Sequence, residues 1–269
     1  MILPRKVTVN ESGEEVLQVR HEGAIAVMTL NNPKRLNAFN WAMRSAMYER
    51  LQQIEANEAC RAIVLTGAGG NLCAGGDISE MKHREIIEGR MRMDLPARIF
   101  KLLVNGPKPF LCAVEGNAAG AGVSFVAASD YAVAASDAKF ACAFIKVGLM
   151  PDVGGIWSLP RKVGHRKAME LCAFGEPFDA QAALDMQLIN RICEPGHALE
   201  QALIAAEKFA RTPAVAMALM KSALNTGNDT VDMTMTTEVN YQSILQNSAD
   251  FAEAAEAFAQ KRKPKFTGR

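Results

Sequence analysis

The chain has 269 residues, and its 30 basic and 29 acidic side chains leave a formal net charge of +1 at pH 7. With 49% hydrophobic residues, it has the composition of an ordinary globular protein that is long enough to bury a substantial core. The balanced charge and the lack of a stripe of basic and aromatic residues argue against a nucleic-acid partner. Residues 1–10 lack the apolar core of a secretory signal, and no stretch is apolar for long enough to span a bilayer. We therefore expect a cytoplasmic protein without a membrane partner.

The cysteines and histidines do not form the pattern of a metal centre. The six cysteines include no C-x-x-C pair, and the four histidines lie far apart in the sequence. We expect free thiols and no bound metal. Cys73 and Cys112 are interpreted as small buried hydrophobic residues, the usual role of a free cysteine.

The first part of the chain alternates strand and helix patterns. Residues 15–30 alternate apolar and polar positions around a turn at residues 22–23, which predicts a β-hairpin. Asn40 is placed to cap a helix whose apolar face runs from Met43 to Ile54. Further strands are predicted at residues 62–66, 110–114, 131–135 and 139–142, and a helix at residues 120–128. Strands that alternate with helices at this spacing predict an α/β core with mainly parallel strand pairing.

The strand pattern ends near residue 196. Beyond it the sequence predicts helices at residues 198–210, 213–225, 231–246 and 250–260. We therefore divide the chain into an α/β core, residues 1–196, and a helical C-terminal region, residues 197–269. The charged segment 78–95 is a helix or a mobile flap, and a solvated helix face is the favoured interpretation.

Two glycine-rich corners each separate an apolar strand from a helix. The first is LCAGGD at residues 72–77, and the second is GNAAGAG at residues 116–122. A strand end that turns into a helix leaves free backbone N–H groups at the helix entrance, where the helix dipole also favours negative charge. Neither corner has the glycine spacing of a nucleotide fingerprint, and each alone is more often a tight structural turn. The pair is the stronger signal, because each corner can hold negative charge.

Further motifs stand in order along the chain. They are NPKRLNA (32–38), CAGGDI (73–78), AVEG and AGAG (113–116 and 119–122), GLMPDVGG (148–155) and AFAQKRKPKF (257–266). Together they resemble the signatures of the crotonase (enoyl-CoA hydratase/isomerase) superfamily over nearly the whole chain. The resemblance implies an α/β spiral of ββα units with a C-terminal helical region that assembles trimers, often paired into hexamers. It also implies an acyl-CoA substrate, with coenzyme A as part of the substrate and no permanently bound cofactor.

The same resemblance implies roles for individual residues. The thioester oxygen would lie between the backbone N–H groups of Gly76 and Ala121, an oxyanion hole for the developing enolate. Phe258 and Lys261 would reach the nucleotide end of coenzyme A, in the same or a neighbouring subunit. Residues expected to contact the coenzyme A or to shape its binding turns are Lys34, Leu36, Ala74, Gly75, Gly120, Phe258 and Lys261.

The acid–base positions distinguish branches of the superfamily. Hydratases use two glutamates, and the matching positions here hold Ser124 and Phe144, neither of which is a carboxylate. Asp152 lies in the loop where the isomerase branch, which includes 1,2-epoxyphenylacetyl-CoA isomerases, has a lone acid as proton shuttle. The resemblance thus implies an enoyl-CoA isomerase with Asp152 as its base. By local pattern alone, Asp152 before two glycines is equally a helix cap or turn, and Asp77 is interpreted as a helix N-cap.

Two other classes of function stay open from the sequence. On the same scaffold, an enoyl-CoA hydratase or an acyl-CoA hydrolase would use Ser124 or Asp152 to position water. A CoA-binding scaffold without turnover is favoured by the missing glutamates, and Asp152 counts against it.

Overall fold

A computed structural model describes residues 9–226 and 230–268, and the strands in these residues form two sheets. The first sheet has the order β1-β2-β3-β4-β6-β9, and the second has the order β5-β7-β8. The strands are β1 (Leu17–Glu22), β2 (Ile25–Leu30), β3 (Ala62–Gly67), β4 (Phe110–Val114), β5 (Asn117–Ala119), β6 (Tyr131–Ala135), β7 (Lys139–Ala141), β8 (Pro177–Asp179) and β9 (Arg191–Cys193). Only the pairs β1–β2 and β7–β8 are antiparallel among them, so the predicted hairpin and the mainly parallel pairing are confirmed.

The helices follow the strands and fill the C-terminal region. They are α1 (Trp41–Ala56), α2 (Ile86–Asn105), α3 (Ala121–Ala128), α4 (Gly155–Val163), α5 (His165–Phe174), α6 (Ala180–Asp185), α7 (Ala198–Ala210), α8 (Ala214–Thr226), α9 (Val231–Gln246) and α10 (Ala249–Ala259). The cap predicted for α1 is confirmed, because the Asn40 side chain accepts a hydrogen bond from Met43 N at 2.9 Å. No helix in the described part of the chain is both long and apolar enough to be a candidate membrane span.

The first sheet is covered on both faces, which explains why its central strands are continuously apolar. All five residues of β4 are buried. On one face, residues of α1, α2 and α3 pack into the larger core, which includes Met43, Ile99 and Phe125. On the other face, α7 lies against the sheet through small residues spaced one turn apart. These are Ala198, Ala202 and Ala206, packed on Ile25, Val27, Ala62, Val64, Leu111, Ala113 and Val133.

Helix α7 is also tied to the core at its first turn. The Glu115 carboxylate, which follows β4, accepts hydrogen bonds from Ala198 N at 2.8 Å and Gly196 N at 3.0 Å. This carboxylate stabilises the positive end of the helix dipole. Helix α7 therefore covers its apolar face on this chain's own sheet. The division of the chain at residue 196 stays a prediction.

The last three helices leave much of their apolar surface uncovered within the chain. Side chains that are at least half exposed include Met220, Leu224, Val231, Met233, Val239, Ile244, Phe251 and Phe258. Helix α7, by contrast, buries its small-residue face. An uncovered apolar surface of this kind is typical of a protein–protein contact.

The cysteines are free, as expected, and Cys73 and Cys112 are fully buried. Burial raises the pKa of the Cys73 thiol to about 12. The thiol beside the first glycine corner is therefore a neutral packing group.

Candidate active site

The two glycine-rich corners lie side by side, beyond the ends of the neighbouring strands β3 and β4. Cys73 N donates a hydrogen bond to Asn117 O at 3.0 Å, and Ala119 N donates one to Cys73 O at 2.8 Å. These bonds make a short parallel bridge between the corners. Two loops that are distant in sequence are thus held in one fixed arrangement by their backbones.

The corners approach each other so closely that two positions require glycine. Gly75 has φ of +102° and Gly120 has φ of +51°, values that side chains disfavour. A Cβ on Gly120 would lie 3.3 Å from Gly75 Cα, and a Cβ on Gly75 would lie 3.2 Å from Ala119 O. The glycine motifs are therefore explained by the meeting of the two backbones.

Two backbone N–H groups at the corners are free. In the part of the chain that the structure describes, neither Gly76 N–H nor Ala121 N–H donates a hydrogen bond. Ala121 is the first residue of α3, where an N–H has no partner inside the helix. Their neighbours are engaged, since Gly120 N donates to Ala141 O at 2.9 Å and Phe39 N donates to Gly75 O at 2.7 Å. The corners thus offer these two backbone donors to a ligand.

A cavity of about 570 Å³ opens over the corners. It brings Asp152 together with four of the predicted site residues, Ala74, Gly75, Gly76 and Gly120. The charged residues in its lining include Arg44, Asp77, Glu80, Lys82, Arg84, Arg92 and Asp152. Apolar lining comes from Ile78, Met81, Met93, Phe144, Val147 and Leu149. The cavity can hold an apolar chain beside a few polar groups.

Two of the carboxylates in this lining are already engaged. Asp77 Oδ1 accepts hydrogen bonds from Ser79 N at 2.9 Å and Ser79 Oγ at 2.6 Å, at the start of the short helix Ile78–Glu80. The prediction of Asp77 as a helix cap is therefore confirmed. Both oxygens of Glu80 accept from Trp41 N at 3.1 Å, and Glu80 also forms an ion pair with Arg92.

Asp152 differs from both, because its Oδ1 is buried without a hydrogen-bond partner among the described residues. Its backbone carbonyl accepts from Gly155 N at 2.9 Å, which forms the turn into α4. The residue at the N-cap position is Gly154, and no side chain caps the helix. The interpretation of the Asp152 side chain as a cap is therefore wrong, and only its backbone has the turn role.

The surroundings of Asp152 shift the pKa of its carboxyl group. Desolvation raises the pKa of this carboxyl above its usual range, and the nearby charge of Arg44 lowers it to a smaller extent. A carboxylate with a raised pKa is a stronger base once ionised. Asp152 thus has both an unpartnered oxygen and the electrostatic setting of a proton acceptor.

The two positions that hold glutamates in hydratases are both buried here. Ser124 is fully buried, and its Oγ has no hydrogen-bond partner in the described chain. It lies behind the Asp152 turn, since a Cβ on Gly155 would be 2.5 Å from Ser124 Oγ. Phe144, which is 8% exposed, lines the cavity as hydrocarbon. Neither residue supplies a carboxylate.

Arg44 is a site residue that the sequence analysis did not identify. It lies on α1, lines the cavity and is only 8% exposed. Its Nε donates to Phe39 O at 3.1 Å, and its guanidinium lies 5.3 Å from the centre of the Phe39 ring. The sequence did contain a signal for this burial. Arg44 lies at i, i+3, i+7 spacing with Met47 and Leu51, and so on the apolar face of the helix.

The segment 78–95 lines one side of the cavity and is not purely a solvated face. The first half of α2 exposes Ile87 and Met91 on its outer side, while Arg92 and Met93 line the cavity on its inner side. Arg92 lies 4.9 Å from the centre of the Trp41 ring and pairs with Glu80. The solvated-face interpretation is therefore wrong for the inner side of this segment.

The residues expected along coenzyme A are only partly assembled at the cavity. Leu36 O accepts from Ala74 N at 2.9 Å, so Leu36 and the first corner are adjacent. Lys34 is exposed one turn earlier, 3.9 Å from Glu11. Phe258, which is 88% exposed, and Lys261 lie at and beyond the end of α10. Among the described residues that line the cavity, neither Phe258 nor Lys261 is found, and their contacts with coenzyme A stay predictions.

Comparison with known proteins places this site in a family. Residues 20–269 match the sequence model of the family described as Enoyl-CoA hydratase/isomerase. The chain is 36% identical over 256 residues to 1,2-epoxyphenylacetyl-CoA isomerase of Escherichia coli K12, covering 92% of this chain and 97% of that protein. It is 35% identical over 244 residues to the short-chain-enoyl-CoA hydratase of Clostridium acetobutylicum, covering 90% and 94%.

Solved structures show the same fold. An enoyl-CoA hydratase from Polaromonas sp. JS666 superimposes with a TM-score of 0.88 at 33% identity, covering 93% of this chain and 99% of that one. The resemblance drawn from the motifs is thereby confirmed, as is the α/β crotonase fold with its C-terminal helices. The chain is an acyl-CoA enzyme of the enoyl-CoA hydratase/isomerase family.

Proposed function

We propose that the protein is an enoyl-CoA isomerase that moves a double bond from the β,γ to the α,β position of the acyl group. The substrate is a 3-enoyl-CoA or a related ring-derived thioester. One observation carries the proposal: Asp152 is the cavity carboxylate, within the described residues, that has an unpartnered buried oxygen. Asp77 and Glu80 are held by other groups.

The free N–H groups of Gly76 and Ala121 are the donors for the thioester oxygen. Asp152 removes a proton from the α-carbon, and the electron pair moves onto that oxygen to give a dienolate. The protonated Asp152 then returns its proton to the γ-carbon, and the double bond re-forms between the α- and β-carbons. Preorganised donors at such an oxygen are worth about 3 to 4 kcal/mol each in the transition state.

One base suffices for this reaction, and that is the reason to prefer it over hydration. Addition of water needs one group to activate the water and another to deliver a proton. Ser124 is enclosed behind the Asp152 turn, and Phe144 has no acid–base chemistry. The relatives include an isomerase and a hydratase by name, so both reactions belong in one assay.

Asp152→Asn tests the proposal. The amide keeps the size of the side chain but cannot accept the proton, so isomerisation of 3-enoyl-CoA should fall about a hundredfold or more. The rise of conjugated thioester absorbance measures this step, and hydration of 2-enoyl-CoA is followed on the same preparation. Efficient hydration with poor isomerisation by the wild type, or normal isomerisation by Asp152→Asn, would reject the assignment.

The same proposal includes the assembly and the substrate contacts. The exposed apolar side chains of α8–α10 are covered in a trimer or hexamer, and Phe258 and Lys261 reach coenzyme A in the same or a neighbouring subunit. Coenzyme A enters as part of the substrate, and the protein acts in the cytoplasm without a permanently bound cofactor. Light scattering at micromolar concentration should give the mass of at least three chains, and a stable monomer would contradict the assembly.

A further inference from the structure

The Arg44 guanidinium has more donors than this chain satisfies. Arginine carries five N–H donors, and the described residues accept from one of them, where Nε donates to Phe39 O at 3.1 Å. Among the same residues, no carboxylate oxygen lies within 4.0 Å of an Arg44 nitrogen, the distance limit for an ion pair. The side chain is nevertheless only 8% exposed, and it reaches solvent through the cavity that it lines.

A buried cation with unused donors is costly unless a partner is supplied. The face of the Phe39 ring, 5.3 Å from the guanidinium, compensates for only part of that cost. Glu80 is not available as a partner, because Trp41 N and Arg92 already hold it. Asp152 interacts with Arg44 through its charge, but its Oδ1 accepts no hydrogen bond. An acceptor for the remaining guanidinium donors must therefore come from a molecule that enters the cavity.

The charges around the cavity indicate which acceptor fits. The lining cations Arg44, Lys82 and Arg92 are equalled in number by Asp77, Glu80 and ionised Asp152, and the rim cation Arg84 is paired with Glu88. A carboxylate in the acyl group would add an uncompensated negative charge close to Asp152 and make that residue harder to ionise. An uncharged oxygen satisfies the guanidinium donors without disturbing this balance.

We propose that Arg44 is a specificity-determining residue that donates hydrogen bonds to an uncharged oxygen in the acyl group, a carbonyl, hydroxyl or cyclic ether. The preferred substrates are then oxygen-bearing acyl-CoA thioesters rather than plain hydrocarbon ones. The inference rests on the proposed function only in that the thioester oxygen lies at Gly76 and Ala121. The acyl group then extends into the cavity that Arg44 and Asp152 share.

Three saturated thioesters of nearly equal shape test this by calorimetry. Hexanoyl-CoA, 5-oxohexanoyl-CoA and glutaryl-CoA differ in what stands at the fifth carbon: a methylene, a ketone or a carboxylate. The wild type should bind 5-oxohexanoyl-CoA about tenfold or more tightly than hexanoyl-CoA, as expected for a hydrogen bond to a charged donor. Glutaryl-CoA should bind more weakly than the ketone. Neither preference depends on turnover.

Variants of two arginines on α1 complete the experiment. Arg44→Met keeps the apolar stem and should abolish the preference for the ketone, while Arg44→Lys should retain part of it. The control is Arg50→Met, which removes an arginine that lies outside the cavity lining and pairs with Glu15 at 3.1 Å. It should leave the affinity ratio as it is in the wild type. Thermal unfolding of each variant verifies that the fold persists.

The outcomes separate this inference from the proposed function. Equal affinities for ketone and methylene, tightest binding of the carboxylate, or an unaltered ratio in Arg44→Met would overturn the inference alone. Failure to bind any of the three thioesters would overturn the proposed function together with it.

Discussion

The floor and the wall of the site are held in different ways. The floor, residues 73–76 and 117–121, is fixed by hydrogen bonds between the two corner backbones, and its free groups are N–H donors. The wall, formed by Arg44, Phe144 and Asp152, consists of side chains. Asp152 Oδ1 and every Arg44 side-chain donor except Nε lack hydrogen-bond partners within the described chain. Because its donors are backbone groups, the floor in the proposed function suits any thioester. In the proposed function, the side chains of the wall meet the acyl group and select the reaction.

Breaking the floor should have the largest effect. Gly76→Pro removes the N–H assigned to the thioester oxygen, and we expect kcat to fall about a hundred- to a thousandfold. The measurement is isomerisation of 3-enoyl-CoA under saturating substrate. Gly76→Ala is the matched variant, because its N–H remains and its Cβ would meet only Met81 Cε, at 3.4 Å.

The two substitutions should therefore differ widely in activity although they alter the same residue. Circular dichroism and the affinity for free coenzyme A verify that both variants fold. Equal activity of Gly76→Pro and Gly76→Ala would show that this N–H does not hold the oxygen.

A pH profile of kcat/KM tests the wall, and its expected effect is intermediate in size. Asp152 acts as a base only when ionised, so kcat/KM should fall about tenfold for each pH unit below its pKa. Because burial raises this pKa, the fall should begin at a higher pH than for an exposed aspartate, whose pKa is about 3.9. Arg44 lowers the pKa of Asp152, so Arg44→Met should move the fall to a still higher pH.

Arg50→Met, on the same helix but outside the cavity lining, is again the control. An acid limb at the same pH in Arg44→Met and in the wild type would show that the two side chains do not interact in the active enzyme.

The glycine corners of the floor were predictable from the sequence, whereas the side chains of the wall were predictable only in part. The difference lies in whether the signal is local. Gly75 and Gly120 mark positions where a backbone must take a positive φ, and that demand is local. Arg44 was missed because it becomes a site residue only where α1, α2 and the Asp152 turn line one cavity, and that contact is not a local property of the sequence. Asp152 was found through a family resemblance, while its local pattern suggested a side-chain cap that the structure does not contain.

The same distinction applies to the elements of the fold. Helices α7 and α9 begin and end at the predicted residues, and α1 begins directly after its predicted cap, Asn40, because caps and apolar periodicity are local signals. The three-residue strands β5, β8 and β9 were not predicted, since their hydrogen bonds come from distant partners. The charged segment was predicted to end at residue 95, before Pro96. Helix α2 instead continues through Pro96 to Asn105.

The smallest expected effect tests how tightly the wall is packed behind Asp152. A Cβ on Gly155 would lie 2.5 Å from Ser124 Oγ and 3.1 Å from Pro151 Cβ, so Gly155→Ala should lower the free energy of unfolding by about 1 to 3 kcal/mol. Ser124→Ala removes the oxygen, and the remaining Ser124 Cβ, at 3.4 Å, makes an ordinary contact. The double variant should therefore recover part of the loss, giving a coupling of about 0.5 to 3 kcal/mol in a double-mutant cycle. Denaturant unfolding measures each term. Strictly additive losses would mean that Ser124 does not pack against Gly155 behind the Asp152 turn.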